Sequence, residues 1–223
     1  MAKQTDRGKD RSIRDRIGTQ MKYQRNIWIP EEDNYTRWSR GFESREYKKL
    51  NLSGQVCLDI GAHVGIWTKR LATDFNEVIA FEPLTKHIEC HKKNTEECDN
   101  VTLHEVALSD ESITTEMTTR KFNSGMSSLL TTRKFKDGYK LTVETKTLDS
   151  FDFPKIDFIK MDVEGYEEKV IAGGMNTILK HLPKIYMEIW PKNLNSMTEL
   201  MNGMGYSVSQ VSETNYLCEH TTE

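Results

Sequence analysis

Three features are missing from the 223-residue sequence, and each absence excludes a class of protein. No apolar run approaches the roughly 18 residues that cross a bilayer, and the first residues lack the hydrophobic segment of a secretory signal. The four cysteines form no CxxC pair, and a chain of this length does not depend on disulfides for its core. The sequence therefore predicts a cytoplasmic protein with reduced thiols and no membrane partner.

The composition is polar but sufficient for a folded core. Hydrophobic residues make up 36% of the chain and charged residues 29%, with 4 Trp, 8 Tyr and 8 Phe. These values exclude collagen, a coiled coil and wholesale disorder. The length favours one large domain, or one domain with attachments, over two full domains.

Charge is distributed unevenly along the chain. Residues 1–25 contain eight Lys or Arg and three Asp, which gives them +5 and leaves −8 for the remainder. Residues 1–22 have little apolar surface to offset the entropy of ordering, so they are predicted to form a mobile basic tail. Residues 23–54 are predicted to be an N-terminal aromatic and helical segment, ahead of a main domain that spans 55–223.

From residue 55 onward, short apolar runs alternate with longer amphipathic stretches, which is typical of an α/β fold with helices on both faces of a parallel sheet. The predicted strands are 56–60, 77–82, 101–108, 156–162, 184–190, 206–211 and 215–220. The predicted helices between the first five strands are 65–73, 84–94 and 166–180. Polar, β-prone pieces within 112–147 predict a hairpin excursion that leaves the sheet.

The loop after the first predicted strand indicates the class of ligand. It reads DIGAHVG, in which Asp59 ends the strand while Gly61 and Gly65 allow tight turns and a close approach of backbone to ligand. A second acid, Glu82, ends the next strand 23 residues later, where a carboxylate can accept hydrogen bonds from ribose hydroxyls. Together these features indicate a ligand that contains adenosine.

Spacing and charge separate the adenosine ligands. A dinucleotide loop needs GxGxxG, whose middle glycine is missing here, and Asp59 would repel a pyrophosphate. No GxxxxGK[ST] motif is present to grip ATP or GTP. S-adenosylmethionine fits, because it has no phosphate and carries two cationic groups. Two alternatives stay open: an NAD-dependent oxidoreductase on the same fold, and a non-catalytic nucleoside-pocket module whose basic tail contacts nucleic acid.

Four strings in order, VCLDIGAHVG, IAFEP, VTLHEVALSD and IDFIKMDVEGYEEKVIAGG, closely resemble the FkbM family of class I S-adenosylmethionine-dependent methyltransferases. The resemblance spans about residues 50–190. It implies a Rossmann-like, seven-stranded sheet whose last strand is antiparallel. It also implies methyl transfer to a hydroxyl of a sugar or of another small-molecule or glycan acceptor. Nucleic acid is not an expected partner, because the basic tail contains no aromatic platform and no recognised nucleic-acid motif.

The resemblance assigns roles to single residues. The cofactor-binding positions that it implies are Asp59, Gly61, His63, Gly65, Glu82, Val106 and Ala107. The glycine loop surrounds the methionine part of the cofactor, Glu82 binds the ribose, and Val106 with Ala107 holds the adenine. His63 stands where the family often has Asn, so no mechanism is built on it.

Two acids in the DVEG string are candidates for catalysis. Methyl transfer to an alcohol needs alignment of the reacting atoms and removal of the hydroxyl proton, which Asp162 or Glu164 could accept. Alternatively, Asp162 could bind the ammonium of the cofactor, and Glu164 could complement the dipole of the following helix. Paired carboxylates could also hold Mg²⁺ or Ca²⁺, but a third ligand is not obvious in the sequence, so no metal is predicted.

Three further features have no assigned role. Glu188, near the end of an apolar strand, could meet the substrate or pair with a helix. His87 and His91, with Cys90 beside them, superficially resemble a metal site, but a solvent-facing helix explains them better. The serine-rich loop 123–129 is expected either to close over the acceptor or to be a surface turn.

Overall fold

The computed structural model describes residues 20–24, 26–33, 45–130 and 134–221. The predicted basic tail therefore lies almost entirely outside the described residues, and its mobility stays a prediction. Strand structure begins at Met21, inside the predicted tail, and the aromatic segment opens as an antiparallel hairpin rather than a helix.

Strands and helices alternate along most of the described chain. In chain order, the strands are β1 (Met21–Gln24), β2 (Ile27–Pro30), β3 (Gly54–Ile60), β4 (Phe75–Phe81), β5 (Val101–His104), β6 (Ala107–Leu108), β7 (Thr114–Arg120), β8 (Gly138–Lys146), β9 (Phe158–Met161), β10 (Lys184–Glu188), β11 (Tyr206–Gln210) and β12 (Asn215–His220). The helices are α1 (Arg45–Leu50), α2 (Ile66–Leu71), α3 (Thr85–Asn94), α4 (Glu167–Ala172), α5 (Met175–His181) and α6 (Leu194–Gly203).

The central sheet has seven strands in the order β11-β12-β10-β9-β3-β4-β5. Strands β5, β4, β3, β9 and β10 are parallel, whereas β12 pairs antiparallel with both β10 and β11. The predicted seven-stranded sheet with an antiparallel last strand is thus confirmed. The chain runs outward from β3 to β5 and later resumes at β9 on the other side of β3. Strand order therefore reverses between β3 and β9, where open α/β sheets bind ligands.

Hydrophobic residues cover both faces of this sheet, as the near-continuous apolar runs predict. One face packs against residues of α4, α5 and α6, including Val170, Ile178 and Met197. The opposite face packs against Tyr47 of α1 and Leu71 of α2. The middle strands are buried on both sides, so they form a rigid base for the loops at their carboxyl ends.

The single strand predicted over 101–108 is two strands. β5 ends at His104, and β6 leaves the central sheet to pair in parallel with β8. The ladder continues where the Ser109 amide donates to the Lys146 carbonyl at 2.9 Å. Hydrogen bonds to the excursion thus replace those that β4 would have supplied, and the prediction of one continuous strand was wrong.

The helix predicted over 166–180 is also divided, into α4 and α5. The break falls at Gly173 and Gly174, where a Cβ on Gly173 would lie 2.0 Å from the carbonyl oxygen of Ser109. The chain after β6 therefore approaches too closely for a side chain, and the paired glycines end the first helix.

The predicted hairpin excursion is confirmed. β7 and β8 pair antiparallel from Thr114↔Glu144 to Arg120↔Gly138, and a 3-10 turn at Ser124–Met126 follows β7. None of the helices in the described part of the chain combines the length and hydropathy that a bilayer crossing requires.

Candidate active site

A pocket that is open to solvent lies at the carboxyl ends of β3, β4 and β9, where the strand order reverses. Most of the residues that the sequence analysis proposed for the site line it: Gly61, His63, Glu82, Ala107, Asp162 and Glu164. The excursion supplies the opposite wall, so the pocket lies between the sheet and the excursion.

Gly61 places the first loop close to β9. Its φ of 73° is in the left-handed region, and a Cβ there would lie 2.0 Å from the carbonyl oxygen of Asp162. The amides of Gly61 and Ala62 donate to the carbonyl of Phe81 at 3.1 and 3.0 Å, which fixes the loop against the end of β4. Glycine is required here because two main chains meet without space for a side chain.

Asp59 lies behind the pocket wall rather than in the lining. Its side chain is fully buried, with Lys160 Nζ 3.2 Å from Oδ1 and the Thr68 hydroxyl donating to Oδ2 at 2.7 Å. Lys160 also donates to the carbonyl of Gly61 at 3.0 Å. Burial alone would lower the pKa of Lys160, but the carboxylates of Asp59 and Asp162 raise it above its ordinary value. The Asp59–Lys160 pair therefore supports the glycine loop from below.

This pairing changes one step of the sequence argument. The negative charge of Asp59 is balanced by Lys160, so it does not count against a pyrophosphate as strongly as the sequence alone suggested. The missing middle glycine of the dinucleotide motif still counts against a dinucleotide ligand.

Gly65 and Val106 are likewise behind the wall. Gly65 has a φ of 84° and caps α2, and a Cβ there would lie 2.8 Å from the His91 ring. Val106 packs against the main hydrophobic core, whereas its neighbour Ala107 reaches the pocket. Both residues shape the site through packing.

Glu82 is 5% exposed and both of its carboxylate oxygens accept hydrogen bonds. Oε2 accepts from the main-chain amide of His63 at 2.9 Å, and Oε1 accepts from the amide of Leu84 at 3.0 Å. His87 Nδ1 lies 3.0 Å from the same Oε1. Burial alone would raise the pKa of Glu82, but His87 and these amides hold it below its ordinary value. Glu82 is therefore an oriented, ionised acceptor at the pocket edge.

The expectation that His87 and His91 face solvent was wrong. Their side chains are 2% and 0% exposed, because α3 packs this face beneath the glycine loop. His91 Nε2 lies 2.8 Å from the Thr68 hydroxyl, and His87 Nε2 lies 2.7 Å from the Ser124 hydroxyl. Burial lowers the pKa of His91. Because the sequence of α3 is polar, it did not indicate that these two imidazoles are buried.

Three carboxylates lie close together at and beside the pocket. Asp162 and Glu164 line it, and one ligand oxygen of each lies within 4.8 Å of the other and of one from Glu188. Glu164 has a φ of 58°, and its carbonyl accepts a hydrogen bond from the Ser128 hydroxyl. Glu188 accepts from Trp190 Nε1 at 2.9 Å, which holds it beside the other two acids.

Among the residues that the structure describes, two groups of side chains could hold a cation. Asp162, Glu164 and Glu188 offer oxygen ligands suited to Mg²⁺ or Ca²⁺, with Glu188 as the third ligand that the sequence did not reveal. Asp33, His63 and His87 form the second group, but the Ser124 hydroxyl already bonds to both Asp33 and His87 there.

Glu167 is a site residue that sequence reasoning missed. It is 2% exposed, and its Oε1 accepts hydrogen bonds from the amides of Val163 and Gly165, both at 3.2 Å. Burial raises the pKa of Glu167 to about 7. Its position at the first residue of α4, after the glycine of DVEG, is the sequence signal that could have identified it as the residue that orders this loop.

The serine-rich loop lines the pocket through Ser124, Gly125, Ser127 and Leu129. Ser127 donates to the Thr119 hydroxyl at 2.6 Å, and Ser128 exchanges main-chain hydrogen bonds with Thr118. The loop is therefore attached to β7 and forms part of the wall rather than an isolated surface turn.

Comparison with known proteins agrees with this architecture. Residues 59–208 match the model of the methyltransferase FkbM domain. An FkbM methyltransferase from Methylobacillus flagellatus KT has the same fold, with a TM-score of 0.55 and 17% identity over 74% of this chain. The matched region is 43% of that protein, so the chain spans less than half of its length. A ribosomal protein L11 methylase from Lactobacillus delbrueckii subsp. bulgaricus gives a TM-score of 0.50, 9% identity and coverage of 79% and 75% of the two chains. Comparison with curated protein sequences gave no match.

Proposed function

The chain belongs to the FkbM methyltransferase family, and on that basis we propose that it transfers a methyl group from S-adenosylmethionine to a hydroxyl of a sugar, another small molecule or a glycan. The supporting observation is the position of Gly61, Glu82 and Asp162 around one pocket, at the carboxyl ends of three adjacent strands. Ligands of open α/β sheets bind at this position.

The residues present fit the cofactor. Glu82 Oε2 accepts one hydrogen bond within the described residues, which leaves acceptor capacity for a ribose hydroxyl. Ala107 belongs to an apolar cluster with Met117 and Leu129, an environment suited to an adenine ring. Asp162 and Glu164 would favour the cationic methionine end.

The chemistry needs alignment and a proton acceptor. S-adenosylmethionine supplies an electrophilic methyl group on its sulfonium. The enzyme must hold the acceptor oxygen in line with that group and keep water out of the pocket. Asp162 or Glu164 accepts the hydroxyl proton, because both carboxylates line the pocket beside the acceptor wall.

The acceptor is assigned to the part of the pocket beside the serine-rich loop, where Gly125 and Ser127 provide polar groups. A sugar or glycan hydroxyl suits a wall of hydroxyls and carboxylates. The four cysteines are free thiols, and three of them are buried, which supports action in the reducing cytoplasm.

The test is calorimetric titration of the protein with S-adenosylhomocysteine, with NAD as a parallel control. S-adenosylhomocysteine keeps the adenosine and ammonium groups, so binding in the micromolar range without NAD binding is the expected result. Binding of NAD alone would favour an oxidoreductase. Binding of neither ligand would reject the proposed site and favour the nucleoside-pocket module, whose affinity for polyanions should fall steeply with salt.

A further inference from the structure

Four buried side chains from separate segments form one continuous chain of hydrogen bonds. Glu82 Oε1 lies 3.0 Å from His87 Nδ1, and His87 Nε2 lies 2.7 Å from the Ser124 hydroxyl. The Ser124 hydroxyl then donates to Asp33, which also accepts the Ser124 amide at 3.1 Å. The chain joins the end of β4, helix α3, the excursion and the segment after β2. All four residues are at most 5% exposed.

Counting protons shows that this chain carries one proton beyond those of neutral His87 and Ser124. Two carboxylates end the chain, and an ionised carboxylate can only accept a hydrogen bond. If Ser124 donates to Asp33, then His87 must donate from both ring nitrogens and is a cation. If Ser124 donates to His87, then Asp33 must itself be protonated. Either way, removing one proton leaves two acceptors facing each other in a buried site.

Several titratable side chains lie near this hydrogen-bonded chain. The His63 ring packs against the His87 ring, with centroids 3.9 Å apart. Burial and the neighbouring His87 lower the pKa of His63, which keeps that ring neutral. Lys86 lies 3.2 Å from Glu32, and it also donates to the Tyr139 hydroxyl. On the same helix, His91 bonds to Thr68, and the carboxylates of Asp59 and Glu82 act on its charge.

We propose that His87, Ser124 and Asp33 are positioning residues for the cofactor, and that the segment ending at Asp33 is thereby part of the S-adenosylmethionine site. This chain of hydrogen bonds holds Glu82 so that Oε1 has two partners, the Leu84 amide and His87 Nδ1. Oε2 has the His63 amide as its partner, so it is the oxygen that the ribose uses. This inference rests on the proposed function, since it takes Glu82 as the ribose ligand. It assigns a cofactor-site role to a residue 49 positions before Glu82 in the sequence.

The experiment compares Ser124→Ala and Asp33→Asn with a matched control, Glu32→Gln. Each variant is titrated with S-adenosylhomocysteine by calorimetry, and its thermal unfolding is measured without ligand. We expect the dissociation constant to rise about tenfold or more for Ser124→Ala, because buried hydrogen bonds to charged groups are lost. Glu32→Gln removes a neighbouring, part-exposed ion pair with Lys86, and it should change the dissociation constant by less than about twofold.

The affinity separates positioning from simple structural support. Asp33→Asn should also raise the dissociation constant, because a neutral amide replaces the carboxylate that accepts both hydrogen bonds from Ser124. A residue that only stabilised the fold would lower the unfolding temperature and leave the affinity of the folded protein unchanged.

The outcomes separate the two proposals. If the wild type does not bind S-adenosylhomocysteine, the proposed function fails. If the wild type binds and both variants bind as tightly as the wild type, the positioning role is overturned. Should Ser124→Ala fail to fold, the near-isosteric Asp33→Asn decides the question alone.

Discussion

Asp59 and Glu82 end neighbouring strands and are both buried carboxylates, yet they serve different sides of the same loop. Asp59 is held by the cation of Lys160 and the hydroxyl of Thr68, beneath the pocket wall. Glu82 is held by two main-chain amides and His87, at the pocket edge. The carboxylate that pairs with a lysine is a structural group beneath the pocket, whereas the carboxylate held by amides and an imidazole can still accept a hydrogen bond from a ligand.

Glu167 extends the comparison to a third way of holding a buried acid. Within the described residues, its Oε1 accepts hydrogen bonds from two main-chain amides, and neither a cation nor an imidazole pairs with it. Its pKa is accordingly raised by burial, whereas that of Glu82 is lowered. What stands next to a buried carboxylate therefore decides its charge.

The largest expected effect comes from removing the partner of Asp59. Lys160→Met should lower the free energy of unfolding by about 3 to 5 kcal/mol, because it leaves an uncompensated buried charge. Urea unfolding measures the change. The double variant Lys160→Met/Asp59→Asn should recover most of the loss, since no buried charge is left. A loss below about 1 kcal/mol for the single variant would show that Asp59 is solvated like a surface group.

The next effect is the pH dependence that Glu167 contributes. Its folded pKa of about 7 lies above its ordinary value of 4.5, so the folded state binds the proton more tightly. The resulting stabilisation is fully present below about pH 4.5 and is lost as the pH rises through about 7, with a size on the order of 3 kcal/mol. Urea unfolding at several pH values should show this loss in the wild type and not in Glu167→Gln. The exposed neighbour Glu168→Gln should keep the wild-type dependence, and an identical slope in all three proteins would contradict the expectation.

Cofactor binding should separate the two strand-end acids. Glu82→Ala should weaken binding of S-adenosylhomocysteine by about 1 to 3 kcal/mol, through lost hydrogen bonds to the ribose. Asp59→Asn should leave the affinity of the folded protein almost unchanged, although it lowers stability. Calorimetry checks both, and equal losses in the two variants would abolish the distinction drawn between them.

The smallest effect is expected for an ion pair that lies neither in the buried scaffold nor at the pocket edge. Lys140 and Glu116 form an ion pair at 2.7 Å on the excursion, and both side chains are 63% exposed. Glu116→Gln should change the free energy of unfolding by at most about 0.5 kcal/mol, because solvent screens the pair. Urea unfolding should barely resolve this change, and a loss above about 2 kcal/mol would mean that exposure does not govern these ion pairs.

The sheet was predictable from the sequence because its strands are apolar and its turns carry glycine. DIGAHVG and the acid at Glu82 located the pocket, since both follow strands that must end at one edge. The Gly173-Gly174 break was visible in the sequence as a glycine pair, but its cause, the close approach of Ser109, depends on a distant contact.

The partners of the polar groups could not be predicted in the same way. Lys160 meets a loop 99 residues earlier, and Ser124 meets a carboxylate 91 residues earlier. Nothing in the local pattern of a polar helix marks His87 or His91 as buried, because hydrophobic periodicity reports apolar side chains. Periodicity therefore predicted the elements, and long-range pairing decided which of their charges reach the pocket.

The same sequence separations bear on how the molecule folds. Strands β3 and β4 pair across about 20 residues, whereas the Ser124 amide reaches Asp33 across 91. Because distant contacts close larger loops, we expect the Ser124 amide to gain protection in pulsed hydrogen exchange after the amides that join β3 to β4. Simultaneous protection would show that the sheet and the pocket form in one step. On the expected order, a newly made chain has a native sheet before it has a complete pocket.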